Sequence, residues 1–220
     1  MKQNNLVIIT SCLDTKYRDN VFTLEERFQQ TLHSINCVKK YMINTKILFI
    51  EASNCDDNYK SIINSMCDYY YDISKETETL YYCIYGHKSL GDTYITLKAI
   101  EYIENNGLIF NIYYKLSGRY YPEYYFNYNL INQNIPTFKD SIYKPGKHIM
   151  TFFYAIPFNF LSQYKENAYI TVEFMKQRTD IPVEEYLPHL FKIKKLIPWD
   201  TKIGINGIIA PCKDKITQIW

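Results

Sequence analysis

The first half of the chain alternates short apolar runs with stretches at helical spacing, and this alternation constrains the fold more than any other feature. Leu6-Val7-Ile8-Ile9-Thr10 has the length and apolarity of a buried strand. After a polar loop to Phe22, Thr23-Leu24-Glu25-Glu26 has capping-box spacing: Thr23 caps and Glu26 reaches back. Leu24, Phe28, Leu32, Ile35 and Val38 then recur at three and four residues, one face of a helix. Lys39 and Lys40 close it where the helix dipole favours cations. Ile47-Leu48-Phe49-Ile50 predicts the next strand, 59–66 a short helix, and 68–73 a third strand. Ser89 and Asp92 form a weaker capping-box pattern, before a helix with Leu97, Ile100 and Ile103 on one face. Asn105-Asn106-Gly107 stops that helix, and 108–116 predicts a fourth strand. The order β-α-β-(α)-β-α-β implies an α/β fold with a parallel sheet and helices on its faces. Ligands then bind at the carboxyl ends of the strands.

The second half has weaker periodicity. Residues 117–147 are rich in Tyr, Asn and Pro, and are read as a functional lid or a small hairpin region. Residues 148–156 predict a strand, and a helix is expected between Asn159 and Arg178. Pro182 suits the first position of a short helix that Pro188 would end or kink. Residues 202–209 read as a strand with a glycine break. No linker or internal repeat is visible, and 220 residues suit a single domain over 1–220.

Composition narrows the function classes. Lys plus Arg number 25 against 23 Asp plus Glu, so bulk charge does not suit a nucleic-acid or anionic-membrane protein. No apolar run approaches the ~20 residues of a membrane span, and the first residues lack the apolar core of a secretion signal. The six cysteines include no C-x-x-C pair and no zinc spacing with histidine. They are read as reduced thiols in a cytoplasmic protein, and no N-x-Ser/Thr sequon occurs. The 23 tyrosines and 12 phenylalanines, with abundant Asn, Ile and Lys, are read as the codon bias of an AT-rich genome.

No G-x-G-x-x-G, H-E-x-x-H or G-x-S-x-G motif occurs, and Asp92 stands where a P-loop after Gly86 would need lysine. Three constellations remain. Thr10-Ser11-Cys12-Leu13-Asp14 ends the first strand, where Asp14 suits a ribose hydroxyl and Arg27, on the helix behind, suits a diphosphate. A solvent loop and a surface arginine would account for the same residues. Gly86 to Asp92 opens a helix whose N-terminus and Lys88 suit an anion, with Asp92 placed for sugar hydroxyls. An ordinary capped helix is the alternative, although Gly91 in its first turn is costly. Lys115-Leu116-Ser117-Gly118-Arg119-Tyr120 ends the fourth strand, with two cations and a serine beside a glycine.

These segments resemble GT-A-type glycosyltransferases, with the nucleotide-diphospho-sugar transferase fold. The similarity is greatest to the small single-domain branch of large DNA viruses and bacterial polysaccharide clusters. It covers roughly residues 5 to 210 and rests on the strand through Ser11, the helix with Arg27, Lys88 to Asp92, and Lys-x-Ser-Gly-Arg-Tyr. It implies a nucleotide-sugar-binding half over about 5–116 and an acceptor or lid half over about 117–220. It implies a nucleotide-sugar donor held by Thr10, Ser11, Cys12, Asp14, Arg27, Lys88, Gly91, Asp92, Ser117 and Gly118. Lys115 and Arg119 would stabilise the departing diphosphate, and Tyr120 and Tyr121 would contact a glycan or glycoprotein acceptor. The catalytic base would be Glu173, with Glu184 or Glu185 next. The family's D-x-D motif, which binds Mn²⁺ or Mg²⁺, is replaced by Lys115-x-Ser117. That departure implies metal-independent transfer or an inactive relative that binds carbohydrate or associates with virions. A nucleotidyltransferase would need a glycine-rich loop after the first strand, which is missing. A single-stranded nucleic-acid binder using tyrosines would need more positive charge.

Overall fold

The computed structural model describes residues 4–15, 21–84, 88–141, 144–178, 182–208 and 217–219. Strand β1 (Asn5–Ser11) is buried throughout and lies parallel to both β2 (Thr45–Glu51) and β4 (Ile112–Ser117). Strand β3 (Tyr69–Asp72) extends the parallel set beyond β2. On the other side, β7 (Ile149–Pro157) runs antiparallel to β4 and to β6 (Thr137–Asp140), and β8 (Lys195–Ile197) pairs parallel to β6. The seven-stranded order is β3-β2-β1-β4-β7-β6-β8, a mostly parallel, Rossmann-like α/β sheet built from both halves of the chain. A smaller antiparallel sheet has the order β10-β9-β5, from β5 (Tyr120–Pro122), β9 (Ile205–Ile208) and β10 (Thr217–Ile219).

Period-two alternation divides the core between the two faces of the large sheet. Leu6 and Ile8 of β1 face a cluster with α4 (Lys88–Asn105), α5 (Leu161–Gln177) and α6 (Val183–Leu190). Val7 and Ile9 face the opposite cluster, with α1 (Leu24–Tyr41), α2 (Asp57–Met66), β5 and β9. The short helix α3 (Thr77–Thr79) leads into a π-type turn over Leu80–Ile84.

The capping box at Thr23 forms as its spacing predicts: Glu26 N–H donates to Thr23 Oγ1 at 3.2 Å, and Thr23 N–H donates to Glu26 Oε2 at 2.9 Å. The buried face of α1 also carries hydroxyls. Ser34 donates to the Tyr120 carbonyl at 2.6 Å, and Thr31 to the Gly118 carbonyl at 3.5 Å. These bonds fasten the turn after β4 to the helix.

Several expectations are corrected. The fourth strand begins at Ile112, not 108. Gly107 (φ +61°) and the bond from Leu108 N–H to the Ile103 carbonyl close α4, and Asn111 N–H goes to Asn4. Ser89 does not cap α4: it lies inside the helix, where its carbonyl accepts from Thr93. Within 117–147, β6 was hidden because Thr137-Phe138-Lys139-Asp140 has one apolar residue. Its lysine is nonetheless buried, with Nζ on the Pro198 carbonyl. Helix α6 runs past Pro188 to Leu190, because Leu187 and Phe191 both bury against the core. The glycine break is Gly204, at φ +81°, where a Cβ would lie 2.6 Å from Phe126 Cα. No side chain fits there.

Candidate functional site

The carboxyl ends of β1 and β4 and the amino end of β7 open onto a cavity of about 530 Å³. That volume suits a small ligand. Thr10 and Ser11 line it from β1 and Cys12 just after that strand, Arg27 and Thr31 from α1, and Gly91 and Asp92 from α4. Ser117 lines it from the end of β4, Gly118, Arg119 and Tyr120 after that strand, and Thr151 and Glu184 from the second half.

The β1 end is shaped by Glu51, which the sequence reading did not single out. This fully buried carboxylate ends β2 and accepts from Leu13 N–H at 3.1 Å and from Ser53 N–H at 2.8 Å. Asp14 N–H donates to Ser53 Oγ at 2.9 Å, so Glu51 anchors the loop through Ser53. Burial pushes the Glu51 carboxyl above its ordinary value, against the pull of these donors. A buried acid at a strand end is the one signal that would have found it.

Lys115 faces α4 rather than the cavity. Its Nζ lies 2.9 and 2.8 Å from the two Asp92 oxygens, 2.7 Å from Ser117 Oγ and 2.7 Å from the Thr151 carbonyl. One cation thus ties β4 to α4 and β7. Burial pulls its amine below the ordinary value, and Asp92 opposes that pull. Asp92 also accepts from Thr10 Oγ1 at 3.3 Å, which places its carboxylate on the cavity wall with its charge balanced.

Two arginines supply positive charge. Arg27 donates to the Cys12 carbonyl at 3.3 Å, and burial, then repulsion from Arg119, pulls its guanidinium down to about 10. Burial also lowers Arg119, whose Nε is buried and has no hydrogen-bond partner among the described residues. Two like charges lining one cavity favour an anion there. Burial, then the charge of Glu51, pushes the Cys12 thiol up to about 12, which favours its protonated form.

Glu184 brings a carboxylate from α6. Its Oε1 accepts from Thr151 Oγ1 at 3.2 Å, and its Oε2 is buried without a partner among the described residues. Its neighbour Glu185 contacts His148 Nε2 at 3.1 Å. Tyr120 stacks on Phe152 with ring centroids 4.4 Å apart.

Other candidates lie elsewhere. Glu173 does not line the cavity; it pairs with Lys176 at 2.5 Å along α5. Tyr121 packs edge-on against His33 at 4.3 Å, also away from the cavity. Asp14 is not a lining residue, although Leu13 and Thr15 on either side of it are, and its N–H is held by Ser53. Gly86 and His87 lie outside the described residues, as does the side chain of Lys88. Gly91 has a packing role, since a Cβ there would lie 3.0 Å from the Tyr82 carbonyl and 3.1 Å from Cys83 Cα. Gly118 approaches β1: its N–H donates to the Thr10 carbonyl at 3.0 Å.

The donor set after β4 does not fit a divalent ion. Ser117 and Arg119 stand there, Asp92 is engaged by Lys115, and among the described residues no three His, Cys, Asp or Glu side chains converge as a metal site. Nor, among those residues, is any helix long and apolar enough to cross a membrane.

No family model matches the chain, and no curated protein matches it. Among solved structures it is similar to the glycosyltransferase GlyE of Streptococcus pneumoniae TIGR4, with TM-score 0.51 and 10% identity. That match covers 89% of this chain and 45% of the GlyE chain, so this chain spans under half the length of that protein. A glycosyltransferase involved in glycosylation of the major capsid of PBCV-1 aligns with TM-score 0.49 and 12% identity, over 89% of this chain and 81% of that one. The chain therefore has a glycosyltransferase fold.

Proposed function

We propose that this chain transfers a sugar from a nucleoside-diphosphate sugar to an acceptor hydroxyl of a glycan or glycoprotein, in the cytoplasm and without a divalent ion. The carrying observation is the convergence of Arg27 and Arg119 on a cavity at the strand ends. In this reading the two guanidinium groups hold the diphosphate and stabilise the charge that grows on it as the bond to the sugar breaks. Asp92 accepts from donor-sugar hydroxyls, and Tyr120 borders the acceptor. Lys115 acts at one remove, as a positioning residue that orients Asp92.

Glu184 takes the role of base. Thr151 occupies one of its oxygens, which leaves the other for the acceptor proton. The acceptor oxygen bonds to the anomeric carbon as its proton passes to Glu184. The carbon–oxygen bond to the diphosphate breaks, leaving its electron pair on the phosphate oxygen.

Thermal unfolding against nucleoside diphosphates and nucleotide-sugars, each with Mn²⁺ and with EDTA, tests this. Ligand at ~100 times its Kd stabilises a fold by about 2.7 kcal/mol. The expected result is a raised midpoint with one nucleotide family that survives EDTA. Glu184→Gln should then bind donor normally while kcat falls about 10²–10⁴-fold. A midpoint that moves with glycans but with no nucleotide would overturn the transferase reading in favour of carbohydrate binding.

A further inference from the structure

A different surface stands out at the edge of the large sheet, around β8. Ile193 is 60% exposed, Leu196 38% and Trp199 50%, whereas Ile197 between them is buried at 1%. The strand pairs with β6 alone, so one of its edges carries no strand among the described residues. Residues 192–202 contain four lysines and one aspartate, a net +3, in a chain whose whole formal charge is +2. Lys194 folds back onto the Phe191 carbonyl at 3.1 Å. Lys192 and Lys202 are exposed and Lys195 half-buried, and none of the three forms an ion pair among the described residues.

Lysines on an edge strand are explained in part by protection against pairing with other chains. That purpose does not call for an exposed tryptophan and two exposed aliphatic side chains beside them. Apolar side chains interleaved with lysines fit one environment well, the headgroup layer of an anionic bilayer. There tryptophan sits at the boundary and lysine amines reach phosphates.

The strand directions add a geometric argument. β8 runs parallel to β6, and β6, like β4, runs antiparallel to β7. The carboxyl end of β8, which leads into Trp199, therefore lies at the same end of the sheet as Ser11 and Ser117 on the cavity wall. Helix α6, which carries Glu184, leads directly into this segment. A membrane bound here would meet the molecule on the side where its cavity opens.

We propose that residues 192–202 form a peripheral docking surface for anionic lipid bilayers, with Trp199, Ile193 and Leu196 entering the headgroup layer and the lysines contacting lipid phosphates. This surface is independent of the sugar-transfer reading, and its test uses neither donor nor acceptor. Failure of one therefore leaves the other standing.

The full chain would be sedimented with vesicles of phosphatidylcholine alone and of phosphatidylcholine with phosphatidylglycerol, at low and high salt. A Trp220→Phe background leaves Trp199 as the single tryptophan, whose emission should shift to the blue only with anionic vesicles. Each lysine near an anionic surface contributes about fivefold to partition, so Lys192→Gln, Lys195→Gln and Lys202→Gln together should weaken it about a hundredfold. Trp199→Ala should weaken it independently, and all variants should melt as the parent does. Equal binding to neutral vesicles, no binding to either kind, or anionic binding that these substitutions leave unchanged would each overturn the proposal. Capture of a protein partner by this edge without lipid binding counts among the results that overturn it.

Discussion

Lys115→Met is the sharpest test of how the site is built. Methionine fills much of the lysine's volume but removes the charge and every hydrogen bond. Removing one partner of a buried ion pair usually costs about 3–5 kcal/mol. Here the Asp92 side chain keeps 28% of its surface exposed, so water can reach its carboxylate, which favours the lower end. The Thr151 carbonyl and Ser117 hydroxyl also lose their donor, at about 1 kcal/mol each. A total loss of about 5 kcal/mol is expected, which lowers Tm by about 10–20 °C for a chain of this size. Urea denaturation of Lys115→Met, Asp92→Asn and the double variant gives the coupling directly. The double variant should lose at least about 1 kcal/mol less than the sum of the singles. The pH dependence of Asp92→Asn has a definite sign. Burial already lowers the Lys115 amine, and removing Asp92 lowers it further. A lysine with a depressed folded value binds fewer protons when folded, so its stability contribution rises with pH. The Asp92→Asn penalty should therefore shrink between pH 7 and about pH 9.5. A Lys115→Met loss below about 1 kcal/mol, with additive singles, would refute the reasoning and return Lys115 to the ligand-binding groups.

Arg119→Ala should raise the Kd for a nucleoside diphosphate about 10–100-fold by calorimetry, the worth of a hydrogen bond to a charged group. It should not lower the Tm of the empty protein, because repulsion on Arg27 is relieved. Gly91→Ala gains about 1 kcal/mol of helix propensity but forces a Cβ against the Tyr82 carbonyl at 3.0 Å. Overpacking of about 1–3 kcal/mol should win, and a raised Tm would show that the turn at Leu80–Ile84 yields. Glu51 has a raised folded value, so its contribution is full below about pH 4.3 and is lost as pH rises through that folded value. Glu51→Gln should accordingly gain stability relative to the parent between about pH 4 and pH 7, as followed by chemical denaturation.

Local signals were read where one short segment contains its own cause. The Thr23 cap, the apolar run of β1 and the stop at Gly107 each depend on neighbours within a few residues, and each formed where its spacing placed it. Strands β6 and β8 went unseen because both are short, β6 has one apolar residue in four although its partner β7 follows it closely in the chain, and β8 pairs only with the distant β6. Lys139 becomes a core residue only because Pro198 presents a carbonyl to it.

The candidate site divides along the same line. Residues at the carboxyl ends of β1 and β4 were legible, because the alternation of strands and helices dictates a parallel sheet and a parallel sheet opens its cavity there. Which charged groups meet was not legible. Lys115, Ser117 and Arg119 look alike as candidates along the chain, yet the first is buried against Asp92 and the last borders the cavity. Glu173 and Glu184 are both acids on helices of the second half, and only the rotation of each helix sends one to Lys176 and the other to Thr151. Periodicity and caps were thus determined by the sequence itself, since they depend on contacts three or four residues apart. Charge partners were decided by the tertiary structure alone, since an ion pair forms or fails over a few ångströms between elements that the chain order leaves far apart.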